Sequence, residues 1–410
     1  MKRYFSFLFF AVLFSCMALR AAELPRTVQV QGQLMHVQGI ALDAEKGFMY
    51  YSFTTRFVKT DLSGRILGSI EHIQGHLGAM TFDPERRRVF CSLECKDDAI
   101  GQGIAKKLDV QTVRAGGSTF YIAVIDVDAV DRVGMDSENN PAFRTVCLRE
   151  VGKDYHAVLS DGRKHRYACS GIDGVTLAPR PGSFKMDPHD GDVVPDGKMW
   201  LWVAYGIYRD PARNDNDCNV LLLFDPDRLV SLARTVTFGD LHRKGPSRAA
   251  ARYHVFTGNT NWGVQNLAYD PFTRRVYLFV YKGSKSWYPN YDLFAVPTDQ
   301  MPVEDRLPGF HGDRRTAGKK LFLSLAEDGL SAEVVKPAPG EVPSGAVSEK
   351  GEKVTVRGWR FRWGSTGACP LGDGRWYLSE QSKDPVTGKQ SSLVRLYRWT
   401  GLPDSPFRPQ

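Results

Sequence analysis

Residues 78–92 read GAMTFDPERRRVFCS, a small apolar segment that ends in Asp83, a charged turn and a second apolar segment. Short apolar runs separated by a turn predict two antiparallel strands. The chain repeats this unit, so its architecture is repetitive. The predicted strand pairs are 38–43 with 48–52, 78–83 with 88–92, 174–178 with 199–203, 265–270 with 275–280, and 367–371 with 375–379.

A third strand is predicted after each pair, over 57–61, 120–128, 219–225, 291–297 and 393–399. A four-stranded antiparallel unit repeated around an axis predicts an all-β fold, the β-propeller. Five units favour five blades. The long segments 306–363 and 144–170 leave room for an insertion hairpin or a further blade, so six or seven blades remain open.

The two ends of the chain predict how the ring closes. Pro403 and Pro406 follow the last strand, and this segment is not expected to supply a fourth strand. Residues 27–34 alternate Val28 and Val30 with polar neighbours, as a strand does. We therefore expect the N-terminal strand to pair with the last blade, which also protects its edge.

These blade motifs resemble those of NHL-type and lactonase-like β-propellers. The resemblance covers most of residues 27–400 and rests on short motifs. It implies the fold and does not imply an activity.

The N-terminus has the pattern of a secretory signal peptide. Lys2 and Arg3 precede an apolar run, and small residues lead to Glu23. We expect residues 1–22 to be a signal peptide and 23–410 to form one propeller domain with long loops on one face. This predicts a periplasmic or extracellular protein without a transmembrane segment after cleavage, with a lipid anchor at Cys16 as the alternative.

Composition limits the classes of partner. Net charge is +8 for the 410 residues, and removal of Lys2, Arg3 and Arg20 with the leader lowers it to +5. The sequence contains no block of five like charges, so nucleic acid is not an expected partner. The six cysteines outside the leader form no CxxC pair and are expected to be small core residues.

Propeller topology predicts which side chains share one end of the axis. The loop that enters the first strand of a blade and the loop that joins its second and third strands lie on one face, here called the mouth. Function is expected there, because rigid scaffolds carry it on loops. The candidate catalytic residues are His36, His76, Glu94, Tyr281 and Glu380. The candidate substrate-binding residues are Gln38, Asp173, Tyr205, Arg209, Trp262, Gln265, Lys282 and Trp287.

Each assignment has a structural alternative. His76 follows Gly75, as in the Gly-His turn of WD-repeat blades, where the histidine is structural. Glu94 and Glu380 are either paired carboxylates for glycoside chemistry or strand ends with a salt bridge. The histidines with Asp173 and Gln265 also suit a divalent metal ion at the mouth, although their spacing is not diagnostic.

Three functions follow. The first is cleavage of an oligosaccharide by a hydrolase or lyase, where Lys96, Arg209, Lys282 and Lys383 suit an acidic sugar. The second is a propeller that binds a small molecule, an oligosaccharide or a protein without catalysis. The third is a metal-dependent lactonase or phosphoesterase.

Overall fold

The computed structural model describes residues 24–30, 36–111, 116–186, 193–308, 315–336 and 352–410. The predicted signal peptide with Cys16, and residues 31–34 of the predicted first strand, lie outside them. Within this part of the chain, five mainly antiparallel sheets surround one axis and form a five-bladed β-propeller; β5 with β9 and β17 with β22 are parallel pairs. The fold class, the blade count and the resemblance to propeller proteins are confirmed.

Blades 1 and 2 each contain the expected four antiparallel strands. Strand β1 (Thr27–Val28) precedes them. Blade 1 consists of β2 (Gly39–Asp43), β3 (Phe48–Phe53), β4 (Arg56–Asp61) and β5 (Ile66–Glu71). Blade 2 consists of β6 (His76–Asp83), β7 (Arg88–Cys95), β8 (Thr119–Asp126) and β10 (Phe143–Cys147), and β9 (Met135–Asp136) pairs with β5 of blade 1.

Blade 3 is the widest sheet. Its strands are β11 (Cys169–Pro179), β14 (Met199–Ile207), β15 (Cys218–Phe224) and β17 (Ala251–Phe256), extended by β22 (Lys319–Phe322) and β21 (Val303–Arg306). The hairpin β12 (Phe184–Met186) and β13 (Val193–Pro195) lies between its first two strands, and β16 (Arg234–Thr235) pairs with β10.

Blade 4 consists of three strands, one fewer than predicted: β18 (Thr260–Asp270), β19 (Arg275–Lys282) and β20 (Leu293–Pro297). An isolated bridge from Leu293 to Trp359 occupies its outer edge. The insertion forms a separate hairpin, β23 (Leu330–Lys336) with β24 (Glu352–Gly358), and not a sixth blade. Segment 144–170 adds β10 to blade 2 rather than a new blade.

Blade 5 closes the ring with both ends of the chain. It consists of β25 (Ala368–Pro370), β26 (Arg375–Lys383) and β27 (Gln390–Leu402). As predicted, β1 pairs with β27, with Thr27 opposite Arg395 and Val28 opposite Val394. Contrary to the prediction, the C-terminal segment also supplies a strand, β28 (Ser405–Pro409), which pairs with the other half of β27. Its prolines are tolerated because β28 is an edge strand.

Helices are short and lie in the connections. They are α1 (Ala99–Leu108), α2 (Arg149–Tyr155) and α3 (Pro226–Leu232), with one 3₁₀ turn (Arg166–Ala168). Helix α1 was not predicted. Asp98 caps it by accepting hydrogen bonds from the backbone N–H groups of Ile100 and Gly101.

Alternation along each strand distributes side chains between neighbouring blades. In β7, Val89, Cys91 and Leu93 pack in the core between blades 1 and 2. Phe90 packs in the core between blades 2 and 3, so Glu94, four residues later, points toward blade 3. The strand therefore delivers a carboxylate to the inner end of a blade interface.

All six cysteines of the described chain are buried and unpaired. This confirms their expected place in the core. No helix among the described residues is long and apolar enough to cross a membrane.

Ring closure generates a stability prediction. Val28 is 2% exposed in the core between blades 5 and 1, whereas Val386 is 91% exposed on a hairpin. We expect Val28→Asp to lower the free energy of unfolding by about 3 kcal/mol, because it buries an unpaired charge at the closure. We expect the same change at Val386 to stay within about 0.5 kcal/mol. Denaturant unfolding measures both, and equal losses would contradict this role of β1.

Candidate active site

Three chemically active side chains meet at the mouth. His76 begins β6, Glu94 lies opposite it on β7, and Asp173 lies on β11 of the next blade. One ligand-type atom from each lies within 4.8 Å of the other two. The structure therefore brings together three predicted site residues that are far apart in sequence. The cluster formed by these three residues is called the axial cluster below.

Glu94 is the buried and fixed member of the axial cluster. Its Oε1 accepts a hydrogen bond from the backbone N–H of Ile172 at 2.8 Å, and its Oε2 lies 2.8 Å from Lys96 Nζ. The backbone of Gly171, at φ 133°, packs against this carboxylate so closely that a Cβ would lie 1.7 Å from Oε1. Only glycine fits there.

Lys96 is a buried counter-ion, not the surface group that its loop position indicated. Its side chain is 4% exposed, and its Nζ also lies 3.4 Å from Asp98 and 3.2 Å from the Ser170 carbonyl oxygen. Burial acts to lower the pKa of the Lys96 ammonium, but the carboxylates of Glu94 and Asp98 outweigh it and raise that pKa. The ammonium therefore stays charged and favours the ionised form of Glu94.

Asp173 is the member of the axial cluster whose carboxyl group has a strongly raised pKa. It is half-buried, and its Oδ2 accepts a hydrogen bond from Gln265 Nε2 at 3.2 Å. Burial, and then the negative charge of Glu94, raise the pKa of the Asp173 carboxyl well above its usual range. Burial also raises the pKa of Glu94, but Lys96 opposes that shift. The surroundings of these two carboxyl groups therefore separate their pKa values. Such a pair can supply one proton donor and one proton acceptor.

The histidines of the mouth are neutral. Burial, with smaller contributions from the Lys96 ammonium and from His36, lowers the pKa of His76 to about 4. Burial likewise lowers the pKa of His36, whose Nε2 lies 3.0 Å from Gln38 Nε2. A neutral imidazole beside a protonated carboxyl group can accept a proton.

Tyr281 adds a second hydroxyl near Asp173. Burial raises the pKa of the Tyr281 phenol, which hydrogen-bonds to the side chains of Gln381 and Ser365, and Asp173 raises it further whenever its carboxyl group is ionised. Tyr281 is therefore protonated and lies on the blade 4 side of the mouth.

Aromatic rings extend from the axial cluster toward the loops of blades 2 and 3. Trp262 is 37% exposed, and its ring centroid lies 5.7 Å from that of Tyr208. His165 lies 4.9 Å from Tyr208 and 4.6 Å from Tyr155. The carbonyl oxygen of Trp262 accepts a hydrogen bond from Gln265, which ties this wall to Asp173. Aromatic faces of this kind stack on sugar rings.

Tyr205 does not reach the mouth. Its side chain is fully buried between blades 2 and 3, and its hydroxyl donates to Asp154 at 2.9 Å. Asp154 also pairs with Arg252 and Arg166. Alternation along β14 directs the Tyr205 side chain into a blade interface, so its position does not support the predicted substrate contact.

Glu380 is also separate from the axial cluster. Its Oε1 accepts a hydrogen bond from Tyr397 at 2.6 Å and forms an ion pair with Arg395 at 2.7 Å. Its neighbours on the same strand face pack between blades 4 and 5. The sequence left two roles open for Glu380, a catalytic carboxylate or a strand end with a salt bridge. The geometry supports the salt bridge.

The remaining predicted binding residues lie on the loops. Arg209 and Lys282 are exposed. Trp287 is half-buried and packs against the core between blades 3 and 4 rather than facing the axis. Its loop is anchored by Lys285, whose fully buried ammonium contacts Asp217 at 2.5 Å, while Tyr288 donates to the same carboxylate at 2.7 Å.

No protein-family model and no curated protein matches this chain. Among solved structures, it is similar to a GH43 β-1,3-galactosidase with galactodeoxynojirimycin (11% identity, 94% of this chain and 98% of that chain, TM-score 0.40). It is also similar to a Bacillus subtilis arabinanase (10% identity, 91% and 98%, TM-score 0.35) and to a luciferin-regenerating enzyme (12% identity, 89% and 92%, TM-score 0.35). These values carry no information about activity.

The Glu94–Lys96 pair generates the second prediction. We expect Lys96→Met to lower the free energy of unfolding by about 3–5 kcal/mol at pH 7, because a buried carboxylate loses its partner. Without Lys96 the folded-state pKa of Glu94 rises further above its unfolded value of about 4.3. Stability then falls as pH rises above that value, so the deficit shrinks on acidification toward it.

Denaturant unfolding between pH 4 and 7 measures this dependence. The control is the double variant Glu94→Gln with Lys96→Met, whose neutral amide can still accept from Ile172. It should recover most of the loss at pH 7. A deficit of Lys96→Met that does not change with pH would contradict an ionised Glu94.

Proposed function

We propose that the protein is a lyase that cleaves an acidic oligosaccharide at the mouth by β-elimination. The observation that carries the proposal is the axial cluster, in which a proton donor, a proton acceptor and a fixed negative charge lie within 4.8 Å. Asp173 is the donor and His76 is the acceptor. Burial and the negative charge of Glu94 favour the protonated form of Asp173.

The short separation favours elimination over hydrolysis. Inverting hydrolysis needs its two catalytic groups about 6.5–9.5 Å apart to admit a water, and retaining hydrolysis needs a free carboxylate nucleophile. Glu94 is not free, because Ile172 and Lys96 occupy its two oxygens. Elimination acts on two neighbouring sugar carbons and needs no water between donor and acceptor.

The proton transfers balance without a co-reactant. His76 takes the proton from the carbon next to the uronate carboxyl group, and the electrons of that C–H bond form a C=C bond. The bond from the adjacent carbon to the bridging oxygen breaks, and Asp173 gives its proton to that oxygen. The products are an unsaturated fragment and a fragment with a free hydroxyl group. Transfer from His76 back to Asp173 restores both groups.

The distribution of ion pairs supports an anionic substrate. On the mouth face, six exposed cations have no carboxylate within 4.0 Å among the described residues: Lys106, Lys107, Arg209, Lys282, Lys383 and Lys389. On the opposite face, seven cations of the turns between first and second strands are paired, whereas the exposed Arg274 has no carboxylate within 4.0 Å among the described residues. These pairs are Lys46–Asp128, Arg86–Asp83, Arg87–Asp43, Arg88–Asp126, Lys198–Asp225, Arg275–Asp328 and Arg375–Asp373. Unpaired cations around a cleft attract anions.

Mass spectrometry and ultraviolet absorbance of the new double bond test the reaction on a panel of uronic and neutral oligosaccharides. We expect unsaturated fragments from uronic substrates only. Asp173→Asn should lower kcat by about 10²–10⁴ with little change in KM, because the amide cannot donate the proton. The matched control is Glu380→Gln, which alters a carboxylate outside the axial cluster and should retain activity.

The dependence of activity on pH is a second test of the same prediction. His76 must be neutral, so activity should fall as pH drops toward its pKa of about 4. Asp173 must be protonated, so activity should fall as pH rises through its raised pKa. Products that have gained one water molecule would show that the reaction is hydrolysis and would contradict elimination. Binding of uronic oligosaccharides without any product would make the protein a binding propeller.

A divalent cation is the second candidate, because His76, Glu94 and Asp173 form a ligand set of one imidazole and two carboxylates. The Lys96 ammonium at 2.8 Å from Glu94 opposes it, since it places a positive charge where the cation would bind. Elemental analysis of dialysed protein discriminates the two. Stoichiometric metal that leaves with chelator and returns with activity would favour metal-dependent hydrolysis.

A further inference from the structure

The axis contains a second cavity on the face opposite the mouth. This cavity has a volume of about 640 Å³ and is lined by the first strands of all five blades and by the turns that follow them. That volume lies within the range of about 300–1,000 Å³ that is usual for small-molecule sites. It is called the lower cavity below.

The lower cavity is separate from the axial cluster. Asn266 Nδ2 donates hydrogen bonds to the carbonyl oxygens of Gln38 at 3.0 Å and Ser365 at 2.9 Å, so its side chain bridges blade 4 to the loops that enter blades 1 and 5. The backbones of adjacent first strands also meet there. A Cβ on Gly39 would lie 2.9 Å from Met80 N, and a Cβ on Gly174 would lie 2.9 Å from the side chain of Leu267.

Apolar side chains surround the lower cavity, one from each blade. Each is only half-buried. Five half-buried apolar groups around one space leave a continuous apolar surface for a ligand. These residues are Leu42, Phe82, Leu177, Tyr269 and Leu371.

The polar groups of the wall are already bonded. Thr176 Oγ1 accepts from the backbone N–H of Tyr269 at 3.0 Å, and Thr81 Oγ1 accepts from that of Leu177 at 3.4 Å. The Tyr269 hydroxyl bonds to Thr298. These contacts join neighbouring blades and leave few polar atoms for a ligand.

The charged residues of the lining also favour a neutral ligand. Arg86 forms ion pairs with Asp83 and with Asp227, each at 2.7 Å. Glu85 is exposed at the rim. Among the described residues that line the lower cavity, no buried charged side chain lacks an ion-pair partner. A charged ligand would therefore lose its hydration without gaining an opposite charge.

From these contacts we infer that the lower cavity is a binding site for an uncharged, apolar small molecule. It is independent of the mouth and of the acidic oligosaccharide proposed there. Its ligand would be an aliphatic chain or an apolar ring system that fills the space between the five side chains.

Fluorescence titration with N-phenyl-1-naphthylamine tests the inference, because this uncharged probe brightens in apolar surroundings. We expect saturable binding of one probe per chain. Decanol should displace the probe, whereas the decyltrimethylammonium cation should do so at least tenfold less well. Uronic oligosaccharides should not displace it.

Leu371→Trp fills the lower cavity and should weaken probe binding at least tenfold. The matched control is Leu402→Trp, since Leu402 is 46% exposed outside the cavity and should leave binding unchanged. Leu42→Trp serves as a second filling variant if the first is not folded by circular dichroism. Absent saturation, or equal binding by the filled and control variants, would overturn the inference. Asp173→Asn should bind the probe normally, so loss of activity and loss of this site are distinguishable.

Discussion

Closure of the ring is the constraint on which the rest of the structure depends. Strand β1 pairs with the first half of β27, and β28 pairs with the second half, so both ends of the chain complete one blade. Further contacts reinforce the closure: Tyr377 donates to the Pro25 carbonyl oxygen at 2.8 Å, and the Val37 N–H donates to Ser392 at 3.0 Å. A closed ring fixes the distance of every first strand from the axis. Side chains of three separate strands can therefore meet within 4.8 Å at the mouth.

The same constraint divides the axis into two chemically different spaces. Where the first strands approach each other, they pack closely at glycines and are bridged by Asn266. Toward the mouth, the first strands carry His76 and Asp173. The carboxylate of Glu94, on the second strand of blade 2, lies beside them. Toward the other face, the next positions carry Leu42, Phe82 and their equivalents. The position of a residue along its first strand, near the start at the mouth or near the end at the opposite face, therefore determines which space it lines.

Repetition made most of the fold predictable from the sequence, and the exceptions have local causes. The five hairpin patterns located the blades because apolar spacing reports strands directly. The C-terminal strand was missed because proline argues against a central strand, whereas β28 lies at an edge. Helix α1 was missed because its sequence, residues 99–108, contains two glycines and only a short apolar face.

The site was harder to predict because burial of a charge depends on contacts distant in sequence. His76, Glu94, Asp173 and Gln265 were found from propeller topology, which sets the height of a residue along the axis. Topology did not give the direction of side chains on second strands, so Tyr205 and Glu380 were placed at the mouth although they bond within blade interfaces. Lys96 was identified as a loop cation, but its role as the counter-ion of Glu94 depends on strand β11.

The position of Lys96 determines which chemistry the axial cluster can perform. Two carboxyl groups and an imidazole alone would attract a divalent cation, since together they supply a negative charge and three ligands. One ammonium placed 2.8 Å from Glu94 supplies that positive charge from within the chain. A second negative charge beside Glu94 is unfavourable, so the pKa of the remaining carboxyl group, on Asp173, is raised. In the proposed mechanism, a single lysine thus changes a potential metal site into a proton-transfer site, without any change in His76 or Asp173.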